Sequence, residues 1–324
     1  MKQLKTFLLE NNQGMSVEIM NYGARITSIL FPVNGKSTEM TVGYASSEDY
    51  LTDDFYFGVT CGRVCNRIEQ GKFELNGVYY QITQNDGEQS LHGGLDNFST
   101  RFWQVNSSTK SSVTLSIESL DGDQGFPGKL NLQVTYQLTD NNQIEIDYFA
   151  TTDAPTPINI TNHAYFNLGE GNGQLLDVKI AASSMLERKD NGVPSGKLLP
   201  VENTDFDFRQ LTNIGERQEN TTDINIQEMA CFDHCFVLDN TDITKPKAEL
   251  VSKNNKVKMT VLTNQPAVQF YTGVALSGEF SAYQGVCLES QDYSNAVNID
   301  HFPNTILTPD AEYNRKIIYQ FDSL

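Results

Sequence analysis

The stretch Ile160-Thr161-Asn162-His163-Ala164-Tyr165-Phe166-Asn167-Leu168 sets one histidine among amide, hydroxyl and phenol side chains in an apolar frame. A plain core strand does not carry this composition, because asparagine is depleted in strands. An imidazole beside amides and a phenol offers a proton donor and a set of hydrogen-bond partners for a polyhydroxylated ligand. His163 is therefore a candidate for acid–base work. The chain has only four histidines, so where they fall narrows the chemistry sharply.

Three further polar clusters read the same way. Cys61-Gly62-Arg63-Val64-Cys65-Asn66-Arg67-Ile68 brings two arginines and an asparagine to a strand-like run. Arg67 can fork onto sugar hydroxyls or onto a carboxylate; the plain alternative is a surface arginine with a buried stem. In Ser90-Leu91-His92-Gly93-Gly94 the glycines after the histidine let backbone approach a ligand closely, against the plain alternative of a turn histidine with no role. Val286-Cys287-Leu288-Glu289-Ser290-Gln291-Asp292 places an acidic side chain after an apolar run. Burial there disfavours the charged carboxylate and raises its pKa toward the range of a general base.

The elements that must hold these clusters are strands. Leu130, Leu132, Val134, Tyr136 and Leu138 alternate on one face, as do Ile144, Ile146 and Tyr148, which predicts strands with one buried side. Asn76-Gly77 between Phe73-Glu74-Leu75 and Val78-Tyr79-Tyr80 is a strong hairpin signal, because both turn positions want positive φ. Asp140-Asn141-Asn142 and Asn254-Asn255 mark two more candidate hairpins. No helical periodicity is sustained enough for crossover helices, so the expected fold is all-β and antiparallel. The segment from Glu187 to Asn225, rich in Gly, Pro, Asn, Thr and charge, reads as a long surface excursion.

At 324 residues the chain suits one large domain spanning 1–324. A net charge of -18 repels phosphate backbones and anionic lipid, so nucleic acid and membrane are excluded as expected partners and a neutral small molecule is favoured. The N-terminal apolar run is too short for a secretory signal, and no stretch has the length of a membrane span. Cys61, Cys65, Cys231, Cys235 and Cys287 make an odd count, read as buried reduced thiols of a cytoplasmic protein. Metal ligation by the two cysteine pairs with His234 is disfavoured, because structural zinc sites more often use a two-residue spacer. The Asn-X-Ser/Thr triplets at Asn97, Asn106, Asn159 and Asn220 are read as coincidental.

Six motifs in order closely resemble the galactose mutarotase, or aldose 1-epimerase, family. They are Gly62-Arg63-Val64-Cys65-Asn66-Arg67-Ile68, Leu91-His92-Gly93-Gly94, Thr161-Asn162-His163-Ala164-Tyr165-Phe166-Asn167-Leu168, Asp233-His234, Gln269-Phe270-Tyr271-Thr272-Gly273 and Leu288-Glu289-Ser290-Gln291. The resemblance runs from Gly62 to Phe302-Pro303-Asn304 and implies a large antiparallel β-sandwich with few short helices and an open cleft. It implies an isomerase that exchanges the α and β anomers of free aldoses such as galactose and glucose without a cofactor or a metal, as a monomer or homodimer. Glu289 looks like the general base and His163 like the general acid. Asn66, Arg67, His92, Tyr165, Asp233 and Gln269 look like the groups that hold the sugar hydroxyls. His234 and His301 match no catalytic position. Cys65 stands where the family usually has alanine, Ala164 where serine or threonine is more usual, and the stretch between Gln269 and Glu289 looks shorter than in some relatives.

The chemistry asks for such a pair. Opening a cyclic hemiacetal requires the C1 hydroxyl to lose a proton while the ring oxygen gains one, and reclosure on the other face reverses both transfers. Nearby carboxylates would favour a protonated His163, while burial would oppose it. Three other readings stand beside this one: a catalytically silent sugar-binding protein on the same fold, a phosphosugar 1-epimerase, and a glycoside hydrolase or lyase. The last usually needs paired carboxylates, and a phosphate calls for a basic pocket that Arg63 and Arg67 alone do not build.

Overall fold

The computed structural model describes residues 3–324, and strict alternation becomes sheet. On Leu130–Leu138 the five apolar side chains are buried and Asn131 and Gln137 are exposed. Its partner Gln143–Thr152 buries Ile144, Ile146, Tyr148 and Ala150. Among the described residues these two lie in a nine-stranded sheet ordered Gln104–Ser108, Ser112–Ser119, Leu130–Leu138, Gln143–Thr152, Tyr313–Ser323, Val257–Thr263, Ala248–Ser252, Asp177–Ile180, Thr212–Asn213. A six-stranded sheet runs Tyr165–Phe166, Val286–Gln291, Ala267–Tyr271, Asp233–Val237, Ser184–Arg188, Pro194–Pro200, and a four-stranded sheet is built from Thr6–Glu10, Ser16–Met20, Arg25–Val33 and Lys36–Glu39. The ladders within them are antiparallel.

One apolar cluster joins the three sheets. It takes Val134, Tyr136 and Ile146 from the first, Phe236, Phe270 and Leu288 from the second, and Val17 and Ile29 from the third. Each large apolar side chain so buried contributes roughly 1.5–3 kcal/mol. Sheets stacked through a shared apolar layer form a β-sandwich. Asn76 and Gly77 take φ 53 and 77, the paired positive values that a two-residue hairpin turn demands. Asn142 and Lys256 supply positive φ at the other two hairpins.

The Glu187–Asn225 excursion departs from the loop expected. It contains the Pro194–Pro200 strand, a short Thr212–Asn213 strand, the short α-helix Ile214–Glu219 and the first residues of a second, Ile224–Met229. Buried Val193, Phe206, Phe208 and Ile214 pin it to the core, and the Asn213 and Asp223 side chains cap the helices. Its polar composition hides these anchors, because they are too irregularly spaced to make a period. No helix among the described residues is long and apolar enough to cross a membrane. All five cysteines are unpaired and buried.

Candidate active site

The six-stranded sheet has one face on the core and one on a cleft, and side-chain alternation sorts its residues between them. On Val286–Gln291, Val286 and Leu288 enter the core cluster, which turns Cys287 and Glu289 to the other face. On Ala267–Tyr271, Val268 and Phe270 go to the core, and Gln269 and Tyr271 to the cleft. Register then sets the neighbours: Tyr165 and Tyr271 flank Cys287, Gln269 lies opposite Glu289, and Asp233 lies opposite Tyr271. Gln269 Nε2 donates to Asp233 Oδ1 at 2.6 Å.

His163 arrives from a different element. It follows Thr161–Asn162, which pairs with Thr60–Cys61, and its peptide is tied on both sides: His163 N donates to the Val59 carbonyl at 2.9 Å and Gly58 N donates to the His163 carbonyl at 3.0 Å. Asn162 Nδ2 adds a bond to the Gly58 carbonyl at 2.8 Å. Asn66 and His92 form a reciprocal pair at φ 59 and 52. His92 N donates to the Asn66 carbonyl, and Asn66 N donates to His92 Nδ1 at 3.2 Å. An Nδ1 that accepts leaves the His92 proton on Nε2.

Asn66, Arg67, His92, His163, Tyr165, Asp233, Gln269 and Glu289 all line one cleft of about 380 Å³. His163 Nε2 lies 3.7 Å from Glu289 Oε1, with the side chains 6% and 3% exposed. Glu289 Oε2 is buried and has no hydrogen-bond partner among the described residues. Arg67 Nε binds Asp86 Oδ2 at 2.7 Å. Asp233 Oδ2 sits 3.8 Å from Arg67 Nη1 and 3.7 Å from Arg188 Nη2, so the cleft cations face carboxylates of their own. His234 and His301 do not line this cleft. His234 packs on Phe206, and His301 Nε2 bonds the Gly196 carbonyl at 2.7 Å.

Burial decides the charge state that composition left open. It pushes the His163 imidazole down to about 4, against the opposing pull of its own backbone carbonyl and of Asp233. It pushes the Glu289 carboxyl well above the usual range; the Asp233 charge adds to this and Arg67 opposes it. His92 is driven well below 6.5, first by burial, then by His163 and Arg67, so it is a neutral hydrogen-bond donor. The ligating atoms of His163, Cys287 and Glu289 lie within 4.8 Å of one another. Burial favours the protonated forms of both Cys287 and Glu289, and holding a metal would work against it by asking both for their deprotonated forms.

Tyr56, Arg188 and Tyr271 also line the cleft, and sequence reasoning did not single them out. Tyr271 had a usable signal, since it stands two residues after Gln269 on the same strand. Arg188 lies in the excursion, where nothing in the pattern marks it. Arg63 departs from its neighbour Arg67. It is 2% exposed and turns away to the Pro127, Gly128, Ser119 and Leu120 carbonyls and the Thr156 and Ser119 hydroxyls. A larger groove of about 980 Å³ borders the outer face of the nine-stranded sheet. It has no histidine, and its Arg101 is spent on Asp96 and Asp123.

A β-sandwich whose cleft brings an imidazole and a carboxyl together among hydrogen-bonding side chains suits acid–base work on a small polar ligand, and comparison with known proteins gives it a family. A family model described as aldose 1-epimerase matches residues 5–320. The chain is 34% identical to galactose mutarotase of Sus scrofa, covering 98% of this chain and 94% of that protein. It is 36% identical to aldose 1-epimerase of Escherichia coli (strain K12), covering 97% and 94%. Among solved structures, the GalM/aldose epimerase homologue from C. elegans superposes with a TM-score of 0.94 at 28% identity, covering 99% of this chain and all of that one. Galactose 1-epimerase from Lactobacillus acidophilus NCFM gives 0.88 at 28% identity, covering 100% and 99%. The chain belongs to the aldose 1-epimerase family.

Proposed function

We propose that this cleft interconverts the α and β anomers of free aldohexoses such as galactose and glucose. Glu289 takes the proton of the C1 hydroxyl while His163 supplies one to the ring oxygen, and the roles reverse on reclosure. Asn66, Arg67, His92, Tyr165, Asp233 and Gln269 hold the remaining hydroxyls. Asp233 and Gln269 offer acceptors, while Arg67 and the Nε2–H of His92 offer donors. The observation that carries this reading is the buried 3.7 Å approach of His163 to Glu289 with one carboxylate oxygen left free.

Between its two pKa values the pair holds one proton, and burial favours Glu289 over His163 as its holder. The productive arrangement has it on His163. The two differ only in the position of that proton, which a bridging sugar hydroxyl can relay between groups 3.7 Å apart. Sugar hydroxyls also return to the carboxylate the hydrogen-bond donors that burial withheld, which favours its charged form. The reaction needs no redox change and no covalent intermediate, so this reading assigns the enzyme no cofactor or metal. The Arg67 and Arg188 charges face Asp86 and Asp233, which argues against a phosphosugar.

We further read residues 1–324 as one domain acting in the cytoplasm as a monomer or homodimer. With a charge of -18, nucleic acid and anionic membrane are not among its partners. Anomer exchange measured by NMR on galactose, glucose, a phosphosugar and an oligosaccharide tests the function. Enhanced exchange of the free hexoses supports it. New reducing ends from the oligosaccharide, or exchange confined to the phosphosugar, would refute it.

A further inference from the structure

Tyr56 has the backbone of a glycine and the side chain of a large residue. Its φ is 62, a left-handed conformation that costs any residue with a Cβ and that points to function when the surroundings impose it. The surroundings here are a buried ion pair. Arg25 Nη1 meets Asp53 Oδ2 at 2.8 Å, with side chains 2% and 1% exposed. Arg25 is fixed in turn by the carbonyls of Tyr22 and Ser99. The Asp53 carboxylate accepts the backbone N–H of Phe55 and of Phe57, each at 2.9 Å. Tyr56 is the residue between those two, so the carboxylate clamps the chain on either side of it.

The clamped ring lands on the site. Its centroid is 4.7 Å from the His92 ring and 5.9 Å from the His163 ring, and those imidazoles meet edge to face at 5.3 Å. Tyr56 also packs against the buried cluster of Val59, Cys61 and Cys65. The next two residues after Phe57 carry the backbone bonds that fix His163, through Gly58 N and the Val59 carbonyl. One short segment thus holds the His163 peptide and covers its ring.

We propose that Tyr56 is a positioning residue for the acid–base pair: its ring, locked by the Arg25–Asp53 pair, orients the His92 and His163 imidazoles and shuts water out from one side of both. The inference rests on the epimerase reading. The other groups facing His163 stay in place when Tyr56 is altered. They are Glu289 at Nε2, the Cys287 thiol 3.7 Å from Nδ1, the Tyr165 ring at 5.1 Å, His92, and the Asp233 charge. Opening the tyrosine side to water relieves the burial that holds His163 near 4, so its titration should move toward the ordinary 6.5.

The test compares Tyr56→Gly with Tyr56→Phe. Glycine removes the ring yet suits the left-handed backbone, so the segment keeps its course; phenylalanine keeps the ring. With four histidines in the chain, their ring proton signals can be assigned and titrated by NMR beside kcat, KM and thermal melting. Tyr56→Gly is expected to raise the His163 pKa by about one unit or more, which by itself favours the form with the proton on His163, and still to lower kcat about tenfold or more because the imidazole loses its orientation, with a smaller change in KM. Tyr56→Phe, which keeps the ring and loses only the hydroxyl, should stand much closer to wild type than Tyr56→Gly in both. Should glycine leave the chain unfolded, Tyr56→Asn, which also tolerates positive φ, supplies the same readings. A folded ring-less variant with an unmoved His163 titration, or with wild-type kcat, overturns the proposal. Absence of anomer exchange in the wild type would instead sink the epimerase reading, and the titration difference alone would then judge the ring.

Discussion

Replacing Glu289 by glutamine separates proton transfer from shape. Glutamine has the outline of the protonated carboxyl that burial favours at this position, so the packing around Leu288 and Gln269 has no reason to change. Stability should therefore stay within about 1 kcal/mol of wild type, since one neutral hydrogen-bonding group replaces another. The rate should not. A positioned acid or base contributes roughly 10² to 10⁴ in rate, about 3 to 5 kcal/mol at 1.36 kcal/mol per decade. The 3.7 Å pair has no second carboxylate at hand, because Asp233 is engaged by Gln269 and faces two arginines. The loss is therefore expected in kcat, with KM within a few-fold. Polarimetry on freshly dissolved α-galactose or α-glucose reads it directly. Exchange within about tenfold of wild type by a folded Glu289→Gln protein would show that the carboxyl does not move the proton.

The pH profile of kcat/KM should be a bell whose limbs belong to the pair and not to either residue. Below about 4 His163 also takes a proton and no base remains; above the raised Glu289 pKa no acid remains. An acid limb at 6 or higher in the wild type would contradict a dry His163. Arg67→Lys should raise KM about tenfold while kcat falls less, because lysine cannot span Asp86 and Asp233 as the planar guanidinium does; equal losses in kcat and kcat/KM would refute this. Arg63→Met should lower stability by about 3 kcal/mol or more, since it leaves buried carbonyls without donors. The surviving folded fraction should keep wild-type kcat, and a specific activity that falls with the melting temperature intact would contradict a purely structural Arg63.

Much of this architecture was legible in the chain because its determinants are local. Alternation over Leu130–Leu138 and the Asn76-Gly77 turn depend on period and on φ preference alone, and both appear where they were expected. The eight candidate residues lie in motifs on strands and on the turns beside them, and the antiparallel register that brings Gln269 opposite Glu289 follows from no single motif. What stayed hidden depends on distant partners. Tyr56 acquires its place from Arg25 and Asp53, 28 residues apart, and an aromatic beside Phe55 and Phe57 reads as core. Phe206 and Phe208 anchor the excursion from within a polar stretch, so its composition suggested a loop where strand and helix form. Arg63 and Arg67, four residues apart, point in different directions because the chain bends at Arg63 and again at Asn66, which the shared motif does not encode.

The five thiols give the molecule a built-in clock for its own breathing. Burial raises the pKa of every one of them, so none is an open nucleophile in the closed fold. A disulfide reagent added to the native enzyme has to wait for a local opening before it can react, and its rate then measures how often the cleft floor parts. Cys287 would report the strand that carries Glu289, and Cys61 the strand beside His163. A bound sugar that steadies the cleft should slow those two labels first.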